Sequence, residues 1–187
     1  SFQRNRAFFE DHADRIFIIS NGFKEFIVPI VSEYGIKEEN VFANTFVYDE
    51  NNNIVGFDTE NVLSVNNGKV EQLKAMKLVG DVYVIGDGYT DYEIKAAGLA
   101  NKFYAFTENV SRQNVLDNAD HITPSLDEFL YLNKMNTTIS YPKNRINVLL
   151  LENVHEEAVK IMKEEGYNVE VYPAGLDEEE LSEKIKD

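Results

Sequence analysis

Residues 82–91 read VYVIGDGYTD, an unbroken apolar and aromatic run followed by a glycine-punctuated turn that carries Asp87 and Asp91. A continuous apolar run, as opposed to an alternating one, marks a strand covered on both faces in a parallel sheet. The stretch therefore predicts a buried strand, a tight turn and a helix ending at Gly98. Residues 15–20 (RIFIIS) repeat the theme, with Gly22 ending the strand. A helix over 23–34 is expected there, because Phe26, Ile27, Ile30, Val31 and Tyr34 recur at helical spacing before Gly35 as C-cap.

Between and beyond these stretches the same grammar continues. Residues 41–57 alternate around an Asn-rich turn at 51–53 and predict a hairpin. Residues 68–77 predict a short helix with Val70, Leu73 and Met76 on one face, and 102–106 (KFYAF) a further strand. Ser125 with Glu128 forms a capping box before another helix. Residues 133–144 lose periodicity and read as a linker. After it come a strand at 146–151, a helix at 155–165 closed by Gly166, a strand at 168–171 and a helix at 176–186 with Asp177 as N-cap. The expected fold class is α/β, a Rossmann-like parallel sheet flanked by helices over residues 1–132, with a small partial α/β unit over 145–187.

Composition narrows the function classes. With 187 residues, 43% hydrophobic and 12% aromatic, the chain can bury a core. It has no Cys, which removes disulfides, thiolate metal sites and a thiol nucleophile and favours an intracellular setting. A net charge of −15 with pI about 4.6 argues against nucleic acid and against acidic membrane surfaces, since both demand clustered Lys and Arg. No apolar run approaches the ~20 residues that span a bilayer, and no secretory leader opens the sequence. A soluble, cytoplasmic protein is expected. His12, His121 and His155 sit among polar neighbours and read as surface residues.

The chemistry-bearing residues lie where strands hand over to helices. In open α/β sheets ligands bind at the carboxyl ends of the strands, so Asp87 and Asp91 on one short turn suit a magnesium ion, which takes one or two protein carboxylates. The alternative is an ordinary turn in which Asp87 only caps the helix. Ser20, Asn21 and Gly22 combine a hydroxyl with free N–H groups at a helix start, a cradle for phosphate, or else a simple Ser/Asn turn. Lys69 stands at a helix N-terminus, where its charge opposes the dipole; it either neutralises a phosphate and fixes an aspartate, or is a surface lysine.

In order and setting, Ser20 after IFII, Lys69 after NNG and GDGYTD after VYVI resemble the second, third and fourth motifs of haloacid dehalogenase-type phosphatases. SNGF at 20–23 is similar to the Ser-Gly-Gly-Phe of phosphoserine phosphatases, with Asn21 in place of Gly, while Thr90 replaces the usual Asn of the fourth motif. The resemblance implies a phosphomonoester hydrolase in which Ser20, Asn21, Gly22 and Lys69 bind phosphate, Lys69 and Asp91 serve catalysis, and Asp87 and Asp91 hold Mg2+. A small phosphorylated substrate, phosphoserine, follows from it. The family's first motif, Asp-x-Asp-x-Thr/Ser, which carries the nucleophile, does not occur in these residues. Residues 1–14 look instead like the end of a cap insertion, and 146–187 resemble the opening of a D-3-phosphoglycerate dehydrogenase, without a nicotinamide site.

The expectation is therefore the phosphate-binding half of a phosphatase, fused in its parent to a dehydrogenase and inactive alone. A non-catalytic phosphate-binding or regulatory module is the competing reading, and a purely structural piece the third. Ser20, Lys69, Asp87 and Asp91 should converge at the edge of one parallel sheet. The strands at 15–20 and 82–85 should pair with a separate N-terminal segment, with another copy in a homo-oligomer, or with each other.

Overall fold

The computed structural model describes residues 1–136 and 141–185. The chain divides into two compact units, Ser1–Thr138 and Ile139–Asp187. Part of the expected linker, residues 137–140, and the end of the last expected helix, at 186, lie outside the described residues.

The first unit opens with helix α1 (Arg6–His12), strand β1 (Ile18–Phe23) and helix α2 (Lys24–Ser32). Then come β2 (Val41–Asn44), β3 (Phe46–Tyr48), β4 (Ile54–Phe57) and helix α3 (Gly68–Met76). It continues through β5 (Tyr83–Gly86), α4 (Tyr89–Ala96), β6 (Lys102–Phe106), α5 (Gln113–Leu116), β7 (His121–Thr123) and α6 (Leu126–Leu132). β1 pairs in parallel with β2, and β5, β6 and β7 form a separate parallel sheet with β6 in the middle. The α/β class read from the sequence is therefore the class of the fold.

Both sheets share their helical covers. Phe9 of α1, Val41 and Ala43 of β2, Tyr104 of β6 and Leu126, Phe129 and Leu130 of α6 form one core, against which Ile18 of β1 and Ile27 and Val31 of α2 pack. On the opposite face Val70 and Leu73 of α3 join Ile94 of α4, and Ile19 of β1 and Val84 of β5 pack beneath them. Adjacent residues of β1, Ile18 and Ile19, thus enter different cores, as the two-residue period of a strand requires. Phe103 and Ala105 of β6 bury with Val115 of α5 in a third cluster. Asp127 of α6, fully buried, accepts hydrogen bonds from Arg4 Nε at 2.9 Å and Asn5 Nδ2 at 2.7 Å, which moors the segment before α1 to the core. Helix α1 follows, its Phe9 buried in the same core.

Several expectations are corrected. β1 runs on through Ser20, Asn21 and Gly22 to Phe23, with an irregular register between Ile19 and Phe23, so Gly22 does not end the strand. Residues 41–44 belong to the parallel sheet; only β3 and β4 form the hairpin, turning through Asn52 in the left-handed region at φ 61. β5, expected to be buried on both faces, leaves Tyr83 40% and Ile85 38% exposed on one of them, and it stands at the end of its sheet. Phe26 and Ile30 of α2 are exposed as well. His12 and His121 are half-buried and stack on Phe8 and Tyr104. Ser125 does cap α6, accepting from Glu128 N at 3.4 Å.

The second unit, taken by itself, is β8 (Asn147–Leu150), α7 (Glu156–Glu164), β9 (Asn168–Val171) and α8 (Glu178–Lys184), with β8 and β9 parallel. His155 caps α7 by accepting from Glu157 N, and Asp177 caps α8 by accepting from the N–H groups of Glu179 and Glu180. Lys184 ties α8 back to Glu170 of β9 at 2.8 Å.

Two outcomes follow from this packing. Replacing Phe103, fully buried in the central strand, by Ala should cost about 3–5 kcal/mol in chemical denaturation. Asp49 in the hairpin turn accepts from the Asn53 side chain, at 3.0 Å, and from the Asn53 and Asn51 amides, which hold its pKa below its ordinary 3.8. A depressed carboxylate stabilises the fold above its ordinary pKa and loses that effect as pH falls through the lowered value. The amide resonances of residues 51–53 should therefore keep their folded positions at neutral pH and move only on acidification below about pH 4.

Candidate functional site

The site grows from two strand ends and one helix start. Beyond β5 the chain turns through Asp87 and Gly88 into α4, and Asp91 lies in the first turn of that helix. Asp91 Oδ2 accepts from Gly88 N at 3.1 Å, closing the turn on itself. Gly86 is required here, since a Cβ on it would stand 2.3 Å from Asp91 Oδ2 and 2.4 Å from its Cγ. The other oxygen, Oδ1, takes Lys69 Nζ at 2.6 Å, with both side chains largely sheltered at 12% and 13% exposure. An ammonium against the N-terminus of α3 is disfavoured by the helix dipole; the Asp91 carboxylate offsets this.

Gly68, just before Lys69, packs directly on the turn at Val62–Ser64: a Cβ would meet Val62 O at 2.1 Å and Leu63 Cα at 2.9 Å. Asn67 precedes it in the left-handed region at φ 64. From the β1 side, Asn21 Nδ2 donates to Leu63 O at 2.9 Å. Asn21, Gly68 and Lys69 thereby come to line one cleft of about 270 Å³, together with Val65, Asn66, Asn67, Thr90 and Glu93.

Among the residues singled out from sequence, the structure brings Lys69 against Asp91 and Asn21 beside Lys69 in the cleft. Ser20 turns onto its own loop, its Oγ accepting from Gly22 N at 3.0 Å. Asp87 is half-exposed and pairs with Arg112, whose Nη1 reaches its Oδ2 at 2.5 Å and its carbonyl at 2.6 Å. Their strands, β1 and β5, belong to different sheets, so the expected edge of one sheet is in fact the ends of two. Arg112, Thr90 and Glu93 carried no functional assignment in sequence. Arg112 sits between elements where no periodicity points to it, and only the path of the chain after β6 carries it to Asp87.

No three His, Asp or Glu gather as a ready metal cluster among the described residues. The donors suit a hard cation that keeps most of its water: Asp87 offers an accessible carboxylate paired with the exposed Arg112, while both Asp91 oxygens are engaged by Lys69 and Gly88 N. Magnesium is such an ion, content with one or two carboxylates plus phosphate and water.

The α/β fold of the first unit is similar to that of solved phosphoserine phosphatases, which are of the haloacid dehalogenase type. The chain is 35% identical over 108 residues to the chloroplastic phosphoserine phosphatase of Arabidopsis thaliana, covering 56% of this chain and 37% of that protein. A phosphoserine phosphohydrolase-like protein from Francisella tularensis superposes with a TM-score of 0.60 at 27% identity, over 68% of this chain and 60% of the other. A further 53-residue stretch is 47% identical to D-3-phosphoglycerate dehydrogenase of Dictyostelium discoideum, covering 28% of this chain and 13% of that enzyme. The chain thus spans under two thirds of each of these proteins. No family model matches it.

Substituting Gly86 by Ala should displace Asp91 and loosen Lys69, at a cost of about 1–3 kcal/mol. Thermal denaturation of the variant beside the parent measures it; an unchanged midpoint would mean that the turn relaxes freely.

Proposed function

We propose that the first unit is the phosphate- and magnesium-binding half of a phosphoserine phosphatase, fused in its parent protein to D-3-phosphoglycerate dehydrogenase. The observation that carries this reading is the sheltered Lys69–Asp91 pair at the rim of a polar cleft that Asn21 and Thr90 also line. A phosphate entering the cleft would meet a cation held in place by Asp91 and not by solvent. The N–H groups at the end of β1 would add neutral donors, and Ser20 Oγ, now accepting from Gly22 N, can still donate its own hydrogen. Asp87 would hold magnesium, with Asp91 kept as the partner that orients Lys69. The ion supplies charge neutralisation on the phosphoryl oxygens.

In this reading the aspartate nucleophile comes from outside these residues, because no Asp-x-Asp occurs in them. The chain alone then binds phosphate without turning over phosphoserine. A non-catalytic phosphate-binding module keeps one observation in its favour: Asp87, the magnesium candidate, is spanned by Arg112.

Titration calorimetry with inorganic phosphate in the presence of Mg2+ tests the reading. Lys69→Met should weaken phosphate binding about tenfold or more, as the loss of a charge-assisted hydrogen bond predicts. Phosphoserine incubated with the chain and Mg2+ should stay intact. Hydrolysis that Asp87→Asn abolishes would place a complete active site in these residues and overturn the proposal.

A further inference from the structure

Asn44 ends β2 and is 5% exposed, outside every motif that pointed to the site. Its Nδ2 spends both hydrogens on backbone, donating to Asn21 O at 2.9 Å and to Leu63 O at 3.3 Å. Asn21 Nδ2 donates to the same Leu63 carbonyl. On the other side Asn61 accepts from Leu63 N at 2.9 Å and donates to Ala43 O at 2.9 Å. Three asparagines therefore grip the N–H and C=O of one residue, Leu63, and fasten it to the end of β1 and the end of β2. The turn containing Leu63 is also the surface on which Gly68 sits without room for a Cβ. Lys69 follows immediately. A short series of contacts leads from Asn44 through Leu63 and Gly68 to the ammonium.

The remaining atom of the amide, Asn44 Oδ1, is buried and has no hydrogen-bond partner among the described residues. Buried polar atoms are nearly always paired, and an orphan calls for an explanation. Rotating the amide would set its oxygen against two carbonyl oxygens, so the donor end is dictated by Asn21 and Leu63. The orphaned acceptor is then the consequence of placing a double donor at this point.

We propose that Asn44 is a positioning residue: by holding Leu63 O and Asn21 O together it sets the separation between the amides at the end of β1 and the Lys69 ammonium, so that both can close on one phosphate. This rests on the phosphate-binding reading of the cleft. Asn44 itself touches no ligand, and Asn61 acts in the same way from the opposite side of Leu63.

The test compares Asn44→Asp, which exchanges the double donor for acceptors at constant shape, with Asn61→Ala and with Thr123→Val as control. Thr123 is also fully buried and donates to Ala105 O at 3.0 Å, between β6 and β7 and away from the cleft. Inorganic phosphate affinity is measured by calorimetry, stability by thermal denaturation, and amide hydrogen exchange at Gly22 and Lys69 by NMR. The expected result is at least tenfold weaker phosphate binding in both asparagine variants, with exchange at Gly22 and Lys69 accelerating together. Thr123→Val should lower the melting temperature and leave affinity unchanged. Parental affinity in a folded Asn44→Asp variant, or an equal loss in the Thr123 control, overturns the positioning role. Should Asn44→Asp not fold, Asn61→Ala decides by the same readings. If the parent chain binds no phosphate, the functional reading falls, and joint or independent exchange at the two loops still decides for or against the clamp.

Discussion

The β1–β2 and β5–β6–β7 sheets share no strand ladder, so everything that holds the site together must cross between them by side chains and helices. Helix α3 is the principal crossing. Its apolar face, Val70 and Leu73, joins Ile94 of α4 in one cluster, against which Ile19 from one sheet and Val84 from the other pack. Its first turn sends Lys69 to Asp91 at the start of α4. Tyr104 does the same from the opposite face, burying against residues of β2 and α6 in one cluster. A backbone ladder would impose strand spacing with a row of hydrogen bonds; here the spacing is imposed by packing volume and by one sheltered ion pair.

That constraint explains why the site is rich in glycine and asparagine. Where the backbones of separate elements must come within contact distance, a Cβ is the obstacle, and Gly86 and Gly68 remove it at the two tightest points. Where loops must be tied without a ladder, a side-chain amide can replace backbone pairing, offering two donors from one short group. Asn21, Asn44 and Asn61 converge on Leu63 for this purpose.

The chain also joins two kinds of likeness. Its first unit has the fold of the phosphatases and a polar cleft at the strand ends. Its second unit is a small parallel β–α–β–α arrangement whose helices are capped by His155 and Asp177 and whose strands form a sheet of two. So small a sheet buries little; Val171, at the end of β9, is still 42% exposed.

By itself the sequence determined the order of strands and helices, because apolar runs and 3.6-residue spacing are local properties: β6 and β9 fall on the residues expected, and Gly35 and Gly98 take the left-handed conformation at helix ends. It also singled out Ser20, Asn21, Gly22, Asp87 and Asp91 where a strand was read as handing over to a helix, and Lys69 at the start of a helix. Tertiary structure alone decided the pairing. It put residues 41–44 beside β1 and left β5 at a sheet end, choices that depend on which distant strand competes for the same hydrogen bonds. It likewise decided the partners: Asp91 with Lys69, 22 residues away, Asp87 with Arg112, 25 away, and Asn44 with Leu63, 19 away. No pattern along the chain encodes such contacts, for they arise only when separate elements are packed to fill the same volume.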